Sequence, residues 1–352
     1  MLVSRSLAVA ILIVAATSAQ ARTHKVVNSF PNPHGTTYAT GLAFMRGVLW
    51  AGASSGSTIH RVDAYTGAAI STLSGPSINA RGLTHDGATL WVASWNDNTV
   101  YRCIDGNGQV ISSFPAFTPP AQHPDGITWD GTNLLVSDEA NQIHWFTPTG
   151  MALRSVTVPA SGAFNPRGLA WDGTHVWAGY QATGRLRRHD PATGAVVLDI
   201  PSPAGNFQQG LAWGDWHLWC TGGTNSSIHQ VDVGAPFLEF VGTMAFPNSV
   251  RFRLTDAQGQ VGDVTVVLLS ATGTAGFPVG GVTVPLTLDA LTQLGLSVLP
   301  VFSALVDAAG VAQTPLFAVP PMQPGITFWA AAVTLRSGAI TAVTDPIRFQ
   351  SQ

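Results

Sequence analysis

The chain has 352 residues, enough for about two domains at ~150 residues each, and its 16 basic and 19 acidic side chains leave a net charge of -3. A nucleic-acid-binding face needs clustered positive charge; here a single lysine, Lys25, joins scattered arginines, which excludes that class. Disorder is excluded by 45 % hydrophobic residues with eleven Trp, and 37 Gly with 23 Pro point to turn-rich β structure.

Met1–Ala21 carries Arg5, an apolar run from Leu7 to Ala16 and the small-x-small triplet Ala19-Gln20-Ala21, the pattern of a secretory signal peptide over residues 1–21. The apolar run is too short to span a bilayer, so the mature chain is expected to be secreted, extracellular or periplasmic, with no membrane span. From there to about residue 244 one signal dominates: Gly41-Leu42, Gly82-Leu83, Gly126-Ile127, Gly168-Leu169 and Gly210-Leu211, spaced by 41, 44, 42 and 42 residues. The fullest unit, Gly168 to Pro201, reads as four short strands separated by Asp172-Gly173, a polar loop at Gln181–Gly184 and Asp190-Pro-Ala-Thr-Gly194. Four strands repeated five times is the arithmetic of a β-propeller of five blades, six being the alternative. Lys25–Pro31 resembles the fourth strands Val110–Pro115 and Val196–Pro201, so the N-terminal strand is predicted to pair with the last repeat and close the ring. Trp50, Trp91, Trp177 and Trp219 recur in the second strand, and Trp129, Trp171 and Trp213 in the first; both sets are read as packing between blades.

At the Gly-Leu-x-x-Asp-Gly-x-x-Leu-Trp-Val and Asp-x-x-Thr-Gly stretches, the chain from Lys25 to Val241 resembles the YVTN, NHL and streptogramin-lyase-like propellers. That resemblance implies a propeller and leaves activity open, because enzymes and binding proteins share these turn and core motifs. Residues 245–352 contain no His and one Trp, with alternating stretches such as Val250–Leu254 and Val264–Leu269, and are expected to form a β-sandwich. This segment resembles a C-terminal module of secreted planctomycete-type bacterial proteins.

The longer loops of a propeller gather on one face, where function is sought. The residues before the repeat glycines, Thr40, Arg81, Asp125, Arg167 and Gln209, are predicted to ring the channel mouth, with Trp95, Asn96, His123, Asp138, Glu139 and Tyr180 in nearby loops. Arg81 and Arg167 with Gln209, Trp95, Asn96, Asp138 and Tyr180 form the candidate ligand-binding set, since paired guanidinium groups suit a carboxylate, sulfate or sugar acid; neutralisation of Arg81 by Asp125 is the plainer reading. His123, Asp125 and Glu139 are the catalytic candidates. Cys103 and Cys220 are read as buried small hydrophobes and His60, His144 and His229 as structural. No metal or other cofactor is predicted, calcium being the weaker alternative, since Asp63 and Asp190 suffice as turn caps. The functional expectation is therefore a secreted binding or scaffold protein, not an enzyme, recognising a small anionic or carbohydrate ligand or an extracellular protein. The alternative is a propeller lyase or lactone hydrolase acting at the mouth.

Overall fold

The computed structural model describes residues 24–351 apart from 36–37, 78, 118–122, 161–165, 223–226, 235–236, 242–246, 256–260, 280–281, 288–301, 309–310, 320, 322 and 345. The signal sequence expected at residues 1–21 lies outside the described residues. The described residues contain only strands and turns, and no helix among them is long and apolar enough to cross a membrane.

The alternation of short apolar runs with Gly- and Asp-rich turns produces antiparallel sheets of four strands. The first sheet comprises β2 (Ala39–Met45), β3 (Val48–Ala53), β4 (Thr58–Asp63) and β5 (Ala69–Ser74); the second, β6 (Ala80–His85), β7 (Leu90–Ser94), β8 (Thr99–Cys103) and β9 (Val110–Pro115). The third holds β10 (Ile127–Trp129), β11 (Leu134–Ser137), β12 (Gln142–Phe146) and β13 (Ala152–Thr157), and the fourth β14 (Pro166–Trp171), β15 (Val176–Tyr180), β16 (Arg185–His189) and β17 (Val196–Pro201). In the last repeat, β18 (Gln208–Gly214), β19 (His217–Gly222) and β20 (Ser227–Asp232) take β1 (Lys25–Pro31) as their fourth strand, through a register that pairs Val26 with Val231 and Phe30 with Ile228. The two ends of this unit are thus joined in one sheet, as the likeness of Lys25–Pro31 to the fourth strands predicts.

The motif residues explain their own spacing. Asp86 caps its turn by accepting from the backbone N–H groups of Ala88 and Thr89 at 2.9 and 2.7 Å, and its Oδ2 accepts from Trp91 Nε1 at 2.8 Å. Asp172 repeats this with Thr174, His175 and Trp177 at 3.0, 2.8 and 3.0 Å. One carboxylate therefore closes the hairpin and satisfies the indole N–H whose ring is buried between sheets. Trp50, Trp91, Trp177 and Trp219 are all buried. Leu42 and Trp219 share one core cluster, Trp50 and Leu83 another, and Trp91 and Ile127 a third, so the cores lie between successive sheets. Trp129, Trp171 and Trp213 are only half-buried and border, with Phe44 and His85, an axial cavity of about 60 Å³. The Asp63 and Asp190 turns are closed by their own Thr66 and Thr193 amides and hydroxyls. Both cysteines are free and buried.

The five first strands touch in cyclic order, β2 against β6 and β18, β10 against β6 and β14, and β14 against β18. This all-β propeller depends on the glycine of the Gly-Leu pair. A Cβ added at Gly82 would lie 2.8 Å from both the carbonyl oxygen of Asp125 and the amide nitrogen of Ile127, and one at Gly210 would lie 3.0 Å from the amide nitrogen of Leu42.

The compact unit described so far spans His24–Asp232, and a second runs from Val233, so the division falls before residue 244. In the second unit β21 (Phe237–Val241) pairs with β22 (Ser249–Thr255). β23 (Val264–Ser270) lies along β29 (Thr327–Arg336) after the hairpin β24 (Phe277–Val279) and β25 (Val282–Val284) and the short strands β26 (Ser303–Leu305), β27 (Ala312–Gln313) and β28 (Phe317–Ala318). β29 also pairs with β30 (Ala339–Val343) and β31 (Ile347–Gln350). Leu238, Phe252 and Leu254 share a core with Val267, Leu269 and Ala332.

Gly82→Ala is expected to cost about 1–3 kcal/mol, the penalty of overpacking, whereas Gly106→Ala, whose Cβ would meet nothing within 4 Å, changes stability little; urea unfolding of both variants checks this. A second expectation concerns acid. His217 is buried, its Nδ1 lies 2.7 Å from the Asp215 carbonyl oxygen, and burial lowers its pKa from 6.5 to about 4. Between these values the unfolded chain binds a proton that the folded one refuses, so stability is full above pH 6.5 and falls as pH drops towards 4, by about 3 kcal/mol from this residue. His217→Leu should flatten the pH dependence of the unfolding midpoint in that window.

Candidate active site

The cyclic contact of the first strands brings the residues before the repeat glycines together at one end of the channel. Asp125 is fully buried, and its Oδ1 accepts from Arg81 Nη1 at 2.5 Å and from Arg167 Nη1 at 3.1 Å. Its Oδ2 is buried without a hydrogen-bond partner among the described residues. Burial pushes the Asp125 carboxyl up, against the pull of the Arg167 and Arg81 charges, and burial likewise lowers Arg81 against the opposing pull of Asp125. Thr40 donates its hydroxyl to the Ala80 carbonyl at 3.0 Å. The Gln209 carboxamide has no hydrogen-bond partner among the described residues.

Loops between second and third strands build the outer layer. Trp95 and Glu139 occupy the same offset, thirteen residues after Gly82 and Gly126, in adjacent sheets. Trp95 Nε1 donates to Glu139 Oε1 at 3.0 Å, the Arg81 guanidinium lies 4.5 Å from the Trp95 ring centroid, and the His123 ring stacks on Trp95 at 4.3 Å. His123 Nδ1 is 3.0 Å from the Trp95 carbonyl oxygen. Arg81, Trp95, His123, Asp125, Glu139 and Arg167 thus form one connected group, with two cations against two carboxylates. Glu139 is half-buried; one oxygen is fixed by an indole and the other has no hydrogen-bond partner among the described residues. That combination suits proton transfer.

Two residues predicted for the mouth, Tyr180 and Asp138, do other work. Tyr180 is fully buried with its hydroxyl 3.0 Å from His189 Nε2, so it offers no surface to a ligand. Asp138 is also buried: its Oδ1 accepts from the amides of Ala140 and Gln142 and its Oδ2 lies 2.9 Å from His144 Nε2. Asn96 is exposed and accepts from Asn79 Nδ2 at 3.3 Å. Two exposed aromatic residues escaped sequence reasoning, Tyr38 and Phe207, each three positions before its repeat glycine as His123 is before Gly126. That shared offset was the available signal. Among the described residues no three His, Cys, Asp or Glu side chains gather as a metal site.

A glutaminyl cyclase from Myxococcus xanthus is similar in fold, with a TM-score of 0.52 at 18 % identity over 60 % of this chain and 96 % of that one. The β-propeller domain of Cps50 (Swd1) from Myceliophteria thermophila aligns with a TM-score of 0.39 at 14 % identity, over 59 % of this chain and 99 % of that one. No curated protein matches the chain in sequence. The sequence profile of the glutamine cyclotransferase family matches residues 3–204. This finding overturns the expectation of a binding or scaffold protein that is not an enzyme, together with the anionic, carbohydrate or protein partner attached to it. It supports the enzyme alternative with a reaction other than the lyase or lactone hydrolase chemistry first considered, and replaces the NHL and YVTN likeness. With that profile spanning more than half of its sequence, the chain belongs to the glutamine cyclotransferase family.

Proposed function

We propose that this protein cyclises an N-terminal glutaminyl residue of a peptide at the mouth formed by Arg81, Trp95, His123, Asp125, Glu139 and Arg167. The observation that carries the reading is Glu139, held by Trp95 Nε1 at 3.0 Å beside the Arg81–Asp125–Arg167 cluster, with its second oxygen open. In the reaction the α-amino nitrogen attacks the side-chain carboxamide carbon, a five-membered lactam closes, and the carboxamide nitrogen leaves as ammonia. The neutral α-amine must lose a proton as it attacks and the leaving nitrogen must gain one, so a single carboxylate that accepts and then returns a proton completes the cycle without water or an external reagent. Glu139 takes that role.

The nucleophile and electrophile belong to one residue, so the protein's task is to fold the glutamine side chain back onto its own amine. Trp95, itself held between the His123 ring and the Arg81 guanidinium, fixes Glu139 in place for that purpose. The developing oxyanion needs donors already in position, and Arg81 and Arg167, restrained by Asp125, are the candidates. Asp125 is thus a positioning residue, and its burial keeps the arginines from swinging out to solvent.

The same reading takes the five sheets of residues 25–232 as the complete set of blades, supported by the cyclic contacts and by β1 in the last sheet. The second unit is read as a β-sandwich, supported by the core that β21 and β22 share with β23 and β29, and export is supported by the leader pattern in residues 1–21.

A peptide with N-terminal glutamine should release ammonia in the presence of the protein, and its Nα-acetylated counterpart should not. Glu139→Gln should lower kcat/KM by about 10²–10⁴-fold without shifting the thermal unfolding midpoint. Ammonia release no faster than in buffer would remove the proposal.

A further inference from the structure

The mouth is asymmetric. The second, third and fourth sheets supply Arg81, Asp125, Glu139 and Arg167, whereas the first and fifth, neighbours through the contact of β2 with β18, supply the uncharged Thr40 and Gln209. On that uncharged side stand two exposed aromatic residues, Tyr38 (46 % exposed) and Phe207 (51 % exposed). Each lies three residues before its repeat glycine, the offset at which His123 stacks on Trp95 on the charged side.

Phe207 has a left-handed backbone, φ 68°. The same offset in the second sheet has φ 64° and is filled by Asn79, a residue type that tolerates this region. The loop therefore imposes the conformation, and the Phe207 N–H, donating to the Gln181 carbonyl oxygen at 2.7 Å, holds it. Loop geometry does not account for a phenylalanine there. Packing does not account for it either, because half of the residue is exposed. A disfavoured conformation kept by a solvent-facing aromatic residue beside a reaction site is the pattern of a ligand contact.

We propose that Tyr38 and Phe207 form an aromatic subsite that receives the side chain of the residue following the N-terminal glutamine, so that the substrates are peptides with an aromatic or large aliphatic second residue. The inference rests on cyclisation at the charged side of the mouth: with the glutaminyl residue beside Glu139, the next residue extends towards the uncharged side. It adds a substrate class that the family relationship leaves open.

The test compares glutaminyl-phenylalanine amide with glutaminyl-glycine amide. For the unaltered protein the ratio of their kcat/KM values should be about tenfold or more in favour of phenylalanine, carried by KM. Phe207→Ala and Tyr38→Ala should each bring the ratio towards one. Equal turnover of both peptides, or a ratio that neither variant changes, overturns the subsite while leaving cyclisation standing. Calorimetric binding of the two products, pyroglutamyl-phenylalanine amide and pyroglutamyl-glycine amide, does not depend on turnover. Tighter binding of the first that weakens in Phe207→Ala supports the subsite even if neither peptide is cyclised, a case in which the cyclisation reading fails alone. Indistinguishable binding of the two products overturns the subsite.

Discussion

The near-contact of backbone on backbone at the axis is the constraint on which everything else rests. At Gly82 only a hydrogen fits between one first strand and the next, and at Gly210 the same close approach brings the last repeat against the first. Strands that approach so closely hold the residues one step earlier in the chain at a single level. Arg81, Asp125 and Arg167 come from repeats more than forty residues apart, yet two guanidinium groups reach one carboxylate oxygen. A ring even slightly wider would leave each of them in its own loop.

Placed so, these groups trade hydration for one another. Removing a carboxylate from water is costly, and an arginine on either side offsets that cost only while both stay in place. The unpartnered Oδ2 of Asp125 shows that the cluster is not saturated. The outer layer adds the complementary piece, a glutamate whose orientation is fixed from the neighbouring sheet by an indole N–H. The cyclisation proposed here would thus draw on positioning by the closed ring, and its proton transfer on a side chain that the ring itself does not contain. The aromatic residues on the uncharged side, Tyr38 and Phe207, extend the same division of labour to substrate choice.

The architecture was legible because its signals are local and recur. The Gly-Leu spacing, the Asp-Gly turns and the second-strand tryptophans each reflect a contact repeated in successive sheets, and Lys25–Pro31 betrayed its role by likeness to the other fourth strands. The mouth residues were legible by offset alone. Their work was not, because an arginine in sequence looks the same whether it is free for an anion or committed to Asp125. Tyr180 and Asp138 were misjudged for a related reason: each sits at the end of a second strand, where the choice between pointing to the mouth and turning into the sheet is made by His189 and His144, partners on the next strand. Family membership emerged only from a sequence profile that extends over about two hundred residues, 3–204.

The most direct measurement is a crystal structure of the Glu139→Gln variant soaked with a peptide bearing an N-terminal glutamine. The peptide's amino group should lie within hydrogen-bond reach of the residue at 139, with its carboxamide oxygen facing Arg81 and Arg167. Peptide density on any other surface of the protein, or none at a concentration that saturates turnover by the unaltered enzyme, would contradict the assignment of the mouth as the place of reaction.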